Sequence, residues 1–210
     1  IIVQVVHGLQ HCHSRDVLHR DIKLDNIVLS DNFIAKLCDF GISRVLRKGD
    51  RLFDDSGTQA YTAPEVVEGR GYSGFASDVW SLGIVLFVIA IGKVPFKGAD
   101  AKETQELILK GEFTFPHNVN LSPALKDLLT RMLTVDPKLR ITTEQILAHK
   151  WFDHHVIEQL TDYLRKVDAN DEYAFKKLIE LGFPDYAIKR TIKNQLLNHI
   201  HCCYQIYKHN

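Results

Sequence analysis

Apolar residues return at helical spacing through the first thirteen positions, IIVQVVHGLQHCH, where Ile2, Val5, Val6 and Leu9 share one face. That period predicts an amphipathic helix. The pattern then shortens. An apolar pair, VL at 17–18, and the run NIVLS at 26–30 bracket the polar stretch HRDIKLDN at 19–26, and a further run, FIAKLCDFG, covers 33–41. Short runs rich in Val, Ile and Leu read as strands, and DN at 31–32 as the turn between the last two. The expected arrangement is a helix followed by a β-hairpin. The loop at 19–26 is pinned at both ends by core, which suits it to holding chemical groups still. Asp21 lies in that loop and Asp39 ends the second hairpin strand, so two carboxylates and Asn26 are expected at one end of the hairpin.

Farther along, LGIVLFVIAIG at 82–92 is apolar on every face. It predicts a helix buried on all sides, too short for a bilayer, which takes about 20 residues. After HKWF at 149–152 the composition turns polar, and 153–170 reads as a linker with a short helix. Within 171–210, Ala174, Leu178 and Leu181 share a helical face; Gly182 is a stop and Pro184 a start. Ile188 and Ile192 give a second face, and Ile200, Cys203, Tyr204 and Tyr207 a third. Three short amphipathic helices are expected there.

Composition narrows the function classes. The 210 residues are 45% hydrophobic, enough for one or two globular domains. Lys plus Arg and Asp plus Glu number 26 each, so no broad field draws the chain to nucleic acid or an anionic membrane. The four cysteines, at 12, 38, 202 and 203, form no C-x-x-C pair. Reduced thiols in the cytoplasm or nucleus suit them better than a disulfide framework. HIHCC at 199–203 has no second cluster at matching spacing, so helix side chains are expected there rather than a metal site.

The order HRDIKLDN (19–26), DFG (39–41) and APE (63–65), followed by SDVWSLGIVLF at 77–87, resembles the large C-terminal lobe of the eukaryotic protein Ser/Thr kinases. The resemblance implies a mainly α fold over 1–152, a kinase-like C-terminal lobe that is helical with short β-hairpins. It also implies that the small lobe lies before Ile1, with its glycine-rich loop, strand Lys and regulatory-helix Glu. By resemblance Asp21 accepts the substrate hydroxyl proton, Lys23 stands beside the transferred phosphoryl group, and Asn26 and Asp39 hold Mg²⁺ against the phosphates of ATP. Val28 would lie under the adenine ring, and Asp25 would receive a basic substrate residue. Thr58 would bond across to Asp21 and Lys23; Gln59 stands where many relatives have Pro. His19 and Phe40 resemble parts of a packed spine, Glu65 and Arg140 a buried ion pair, and Asp78 the residue that holds the backbone of His19 and Arg20.

GRGYSG at 69–74 satisfies G-x-G-x-x-G but follows no strand, so it is expected to be a connection rather than a phosphate loop. Likewise Lys36 in IAKL is a strand residue leading into Asp39. For regulation, Arg20 and Arg44 are expected to form an anion pocket. Most relatives fill it with a phosphothreonine at the position occupied here by Asp54. Either Asp54 fills it permanently, or Ser56 or Thr62 takes a phosphate. The segment 171–210 resembles a ubiquitin-associated (UBA)-type three-helix domain, as in the AMP-activated-kinase-related group, with which Leu24 is compatible; the alternative is a helical extension capping the lobe. The resemblance implies a Ser/Thr kinase fragment using ATP and Mg²⁺, with protein substrates and an activating kinase or regulatory subunits as partners. A non-catalytic interaction fragment is the other class kept open.

Overall fold

The computed structural model describes residues 1–30, 34–46, 50–54, 57–69, 71–152, 172–193 and 204. The expected turn at 31–32, Ser56, the linker at 153–170, the cysteines at 202 and 203, and Ile200 and Tyr207 lie outside the described residues. The chain divides into two compact units, Ile1–Asp153 and His154–Asn210.

In the first unit, α1 (Ile2–His13) buries Ile2, Val5, Val6 and Leu9, the face that the period marked. The expected hairpin is present: β2 (Ile27–Leu29) pairs antiparallel with β3 (Ala35–Leu37). The sequence did not reveal the second ribbon, in which β1 (Val17–Leu18) pairs antiparallel with β4 (Arg44–Val45). The strands on either side of loop 19–26 therefore belong to different ribbons. Two links, 19–26 and 38–43, join the same two ribbons in opposite directions, which lays them side by side. The Cys38 N–H donates to the Asn26 carbonyl at 3.0 Å. β3 stops at Leu37, so Asp39 does not end the strand as expected; it lies two residues beyond, at φ 59°.

The central helix α3 (Phe75–Ile91) is buried from Leu82 through Phe87. Its last turn opens, with Ile89 50% exposed, so the expectation of burial on all sides fails there. Uniform apolarity does not reveal where packing partners end. Trp80 stacks on Phe96 at 5.4 Å, and Phe87 meets Phe113 edge-on at 5.7 Å. The helices around it start on residues suited to the task. α2 (Pro64–Glu68) has Pro in its first turn. Asp100 caps α4 (Ala101–Lys110), Ser122 caps α5 (Pro123–Met132), and Thr142 with Gln145 forms a capping box on α6 (Thr143–Leu147).

Two of the three glycines of GRGYSG serve packing, and Gly69, left-handed at φ 64°, ends α2. Gly74 opens α3 at φ 88°, and a Cβ there would fall 2.1 Å from a Leu18 methyl carbon. Gly71, at φ 81°, lies against the Phe53 ring, 2.7 Å from where its Cβ would stand.

In the second unit, α7 (172–180) and α8 (Asp185–Lys193) are joined by a tight turn. The Gly182 N–H donates to the Ile179 carbonyl at 2.9 Å and the Phe183 N–H to the Leu178 carbonyl at 3.1 Å. With Gly182 left-handed at φ 87°, this is a Schellman closure. Ala174, Leu178, Ile188 and Tyr204 form the core, with Phe183 and Ile192 packed around it. Leu181 was expected on that face. It lies one residue past the helix and is 55% exposed, because the turn carries it off the stripe.

Candidate active site

Loop 19–26 owes its shape to one buried carboxylate. Asp78, in the first turn of α3, accepts the His19 N–H on Oδ2 at 3.0 Å and the Arg20 N–H on Oδ1 at 2.9 Å. A buried carboxylate needs such donors, since an unpaired one carries a large desolvation cost. A third arrives from α1: His13 Nε2 donates to Asp78 Oδ2 at 2.8 Å. Sequence reading missed His13, because a polar residue in a helix's last turn ordinarily faces water. Arg20 has φ 71°, a region that costs a non-glycine residue on the order of 1–3 kcal/mol. Asp78 holds it there.

His19 is buried beneath the loop. Its Nε2–H donates to the Cys38 carbonyl at 3.0 Å, and its Nδ1 accepts the Asp21 N–H at 3.3 Å. Its ring lies 4.7 Å from that of Phe40, whose other side is open; Phe40 is 42% exposed.

Asp21 is gripped from three sides. Oδ1 accepts the Thr58 hydroxyl at 2.9 Å, and Oδ2 accepts Lys23 Nζ at 2.7 Å and Asn26 Nδ2 at 3.0 Å. Lys23 Nζ also donates to Thr58 Oγ1 at 3.0 Å, and Asn26 Nδ2 to the Asp21 carbonyl at 2.8 Å. Lys23, Asp21 and Thr58 thus close a triangle across 37 residues of chain. Burial pushes the Asp21 carboxyl upward, but the hydrogen bonds from Lys23, Thr58 and Asn26 and the Lys23 charge outweigh it. They hold the group below its usual range. Lys23 is raised, first by its bond to Asp21 and further by the charges of Asp21, Asp25 and Asp39, against a smaller desolvation effect.

The Asn26 side chain spends its N–H groups on Asp21, leaving its amide oxygen without a hydrogen bond among the described residues. Asp39 is exposed, and its Oδ1 accepts the Gly41 N–H at 3.2 Å. An amide oxygen and a carboxylate are the hard donors that suit Mg²⁺. Among the described residues no group of three or more His, Cys, Asp and Glu side chains converges as a metal site. A metal here would therefore draw its remaining ligands from water or a bound phosphate. Val28 is 47% exposed on β2, and Asp25 is exposed on the turn Leu24–Asn26.

Two expected pairings form away from Asp21. Arg140 reaches Glu65 with both Nη atoms, at 2.7 and 2.9 Å, and donates to the carbonyls of Thr134, Val135 and Ala76. Its guanidinium also lies 5.0 Å over Trp80. Arg20 forms an ion pair with Asp54. Arg44 was expected beside it, but its side chain is exposed on β4 and makes no ion pair among the described residues. The Thr62 hydroxyl donates to the Thr58 carbonyl at 3.3 Å.

Residues 1–152 match the family described as "Protein kinase domain". The "Serine/threonine protein kinase OSK4" of Oryza sativa subsp. indica is 33% identical over 214 residues, covering 100% of this chain and 42% of the relative. The "Carbon catabolite-derepressing protein kinase" of Secale cereale is 34% identical over 93% of this chain and 39% of its own length. The "SNF1-related protein kinase catalytic subunit alpha KIN12" of Arabidopsis thaliana is 31% identical over 99% of this chain and 42% of its own. The chain thus spans about two fifths of the length of these relatives, 39–42%.

Proposed function

The chain belongs to the protein kinase family, and from that membership we propose that it carries the catalytic loop of a protein serine/threonine kinase, moving the γ-phosphoryl group of MgATP to a Ser or Thr hydroxyl of a protein. The observation that carries the reading is the Asp21–Lys23–Thr58 triangle, with the oxygens of Asn26 and Asp39 beside it. In the step, the substrate oxygen bonds to the γ-phosphorus, the bond from that phosphorus to the β–γ bridging oxygen breaks, and ADP leaves. The hydroxyl proton passes to Asp21. Its lowered pKa makes it a modest base, which suits a reaction that asks for positioning more than for basicity.

Lys23, tethered between Asp21 and Thr58, supplies positive charge beside the transferred group. Mg²⁺, when bound, neutralises phosphate charge; Asn26 and Asp39 are the residues that would hold it. Val28 offers apolar surface to the adenine ring, and the exposed Asp25 offers a carboxylate to a basic substrate residue. Protein substrates, together with an activating kinase or regulatory subunits, are the partners this reading implies, in the cytoplasm or nucleus. Among the described residues no helix is long and apolar enough to cross a membrane. We further propose that the glycine loop and strand Lys come from a small lobe outside these 210 residues, and that 171–210 is a UBA-like domain. The core on Ala174, Leu178, Ile188 and Tyr204 supports the latter.

The test is transfer of label from ATP to peptides bearing Ser, Thr or Tyr after a basic residue, using protein that contains this chain. Label on Ser or Thr that vanishes in Asp21→Asn supports the proposal. Label on Tyr, or label undiminished in Asp21→Asn, overturns it.

A further inference from the structure

Thr58 must reach Asp21, yet the described part of the segment before it, 50–54, has no regular structure beyond one bridge. That bridge joins Leu52 to Tyr72, each N–H donating to the other's carbonyl at 3.0 Å. Tyr72 then buries its ring and donates its phenol O–H to the carbonyl of Asp54 at 3.0 Å. The carboxylate of the same Asp54 closes on Arg20, whose side chain is 8% exposed against 47% for Asp54. Arg20 immediately precedes Asp21, and its own backbone is fixed by Asp78. Asp54 is therefore held twice, by its main chain at Tyr72 and by its side chain at Arg20. Phe53, lying against Gly71, closes the same seam from outside. On the Thr58 side, Gly57 backs so closely onto the Arg20 carbonyl that a Cβ would lie 2.9 Å from it.

A carboxylate brings one charge and two oxygens to Arg20, where a phosphate would bring about −1.5 to −2 and three. The single ion pair, half open to water, is a weak fastener alone. The phenol supplies the second point of attachment. Burial raises the Tyr72 pKa, partly opposed by the Arg20 charge, and keeps the phenol in its donating form.

We infer that Tyr72, Asp54 and Arg20 form a built-in clasp that sets the Thr58 segment against Asp21 with no phosphate group on that segment. The inference rests on the kinase reading of the site and specifies its regulation. Tyr72 and Asp54 are positioning residues: they touch neither Asp21 nor the reacting atoms and act through Arg20 and Thr58.

The experiment compares wild type before and after phosphatase with phosphatase-treated Tyr72→Phe, Asp54→Asn and the double variant, in protein containing this chain. Tyr72→Phe removes only the hydroxyl and keeps the buried ring. Two readouts are taken: amide hydrogen exchange at Leu52 and Tyr61, and kcat and KM for peptide phosphorylation. Each single variant is expected to speed exchange at both amides and lower kcat about tenfold, with KM for ATP unchanged. The double variant should be little worse than either single one, because one clasp cannot be broken twice. Exchange unchanged in Tyr72→Phe, or effects that multiply in the double variant, overturns the clasp. Wild-type activity that phosphatase reduces to the Asp54→Asn level overturns its independence from phosphate. If wild type phosphorylates nothing, the kinase reading fails, and exchange alone decides the clasp: coupled acceleration supports it and independent acceleration defeats it.

Discussion

Asp21, the proposed proton acceptor, sits in an environment that makes two predictions. Asp21→Asn keeps the size of the side chain and the contacts with Thr58 and Asn26 in altered form. It loses the proposed proton acceptor and the pull on Lys23. Turnover should fall by roughly 10²–10⁴ with the fold intact; kcat measured alongside a circular dichroism spectrum checks this. The pH dependence follows from the sign of the shift. The folded pKa of Asp21 lies below its unfolded value. Its contribution to stability is therefore complete above the unfolded pKa and is lost as pH falls through the folded one. The melting temperature of the wild-type chain should drop more steeply on acidification than that of Asp21→Asn. Parallel curves would contradict the assignment. That Asp21, Lys23 and Asn26 come together was legible because their spacing is local to one short run of sequence. His13 and Tyr72 were not, since each owes its role to a partner far along the chain: Asp78 lies 65 residues from His13, and Tyr72 18 residues from Asp54.

Among the elements, α3 is the hub, and its two ends can be tested separately. Near its start, Gly74→Ala would force a Cβ into Leu18 at a left-handed backbone position. A loss of about 1–3 kcal/mol is expected from urea unfolding. A neutral substitution would mean that β1 yields easily. Arg140 stitches α2 to the base of α3 through Glu65 and the Ala76 carbonyl. Arg140→Ala leaves the Glu65 carboxylate without its partner and strands three carbonyls. The cost should be on the order of 3–5 kcal/mol, because breaking one side of a buried pair leaves an uncompensated charge. The same measurement on Glu65→Gln should give a smaller loss, since the amide still accepts from Arg140. Periodicity located α1, and Gly182 and Pro184 marked the stop and start around the turn between α7 and α8; both are properties of adjacent residues. The exposed last turn of α3 and the displaced Leu181 escaped that reading, because burial depends on what packs against a face.

For the whole molecule, the described residues of the first unit leave the proposed nucleotide site open: Val28 and Leu29 are each about half exposed, at 47% and 49%, and Asp39 is exposed. An open surface grips a nucleotide poorly, because affinity grows with the ligand surface enclosed. Titration calorimetry of the 210-residue chain with MgATP should give no saturable heat at micromolar concentrations; a clear isotherm would contradict this. By itself the amino-acid sequence determined α1, the β2–β3 hairpin, most of α3, the turn at Gly182 and the order of motifs that marks the family. All of these are written in the type and spacing of near neighbours. Only the tertiary structure decided that β1 pairs with β4, that two links cross between the same ribbons, and that His13 of α1 also donates to Asp78. It also decided that Arg44 makes no ion pair among the described residues, while Tyr72 bonds the Asp54 that pairs with Arg20. The physical reason is that a two- or three-residue strand has almost no intrinsic preference for a partner. Its register, and the hydrogen bonds that depend on it, are chosen by the packing of the chain as a whole.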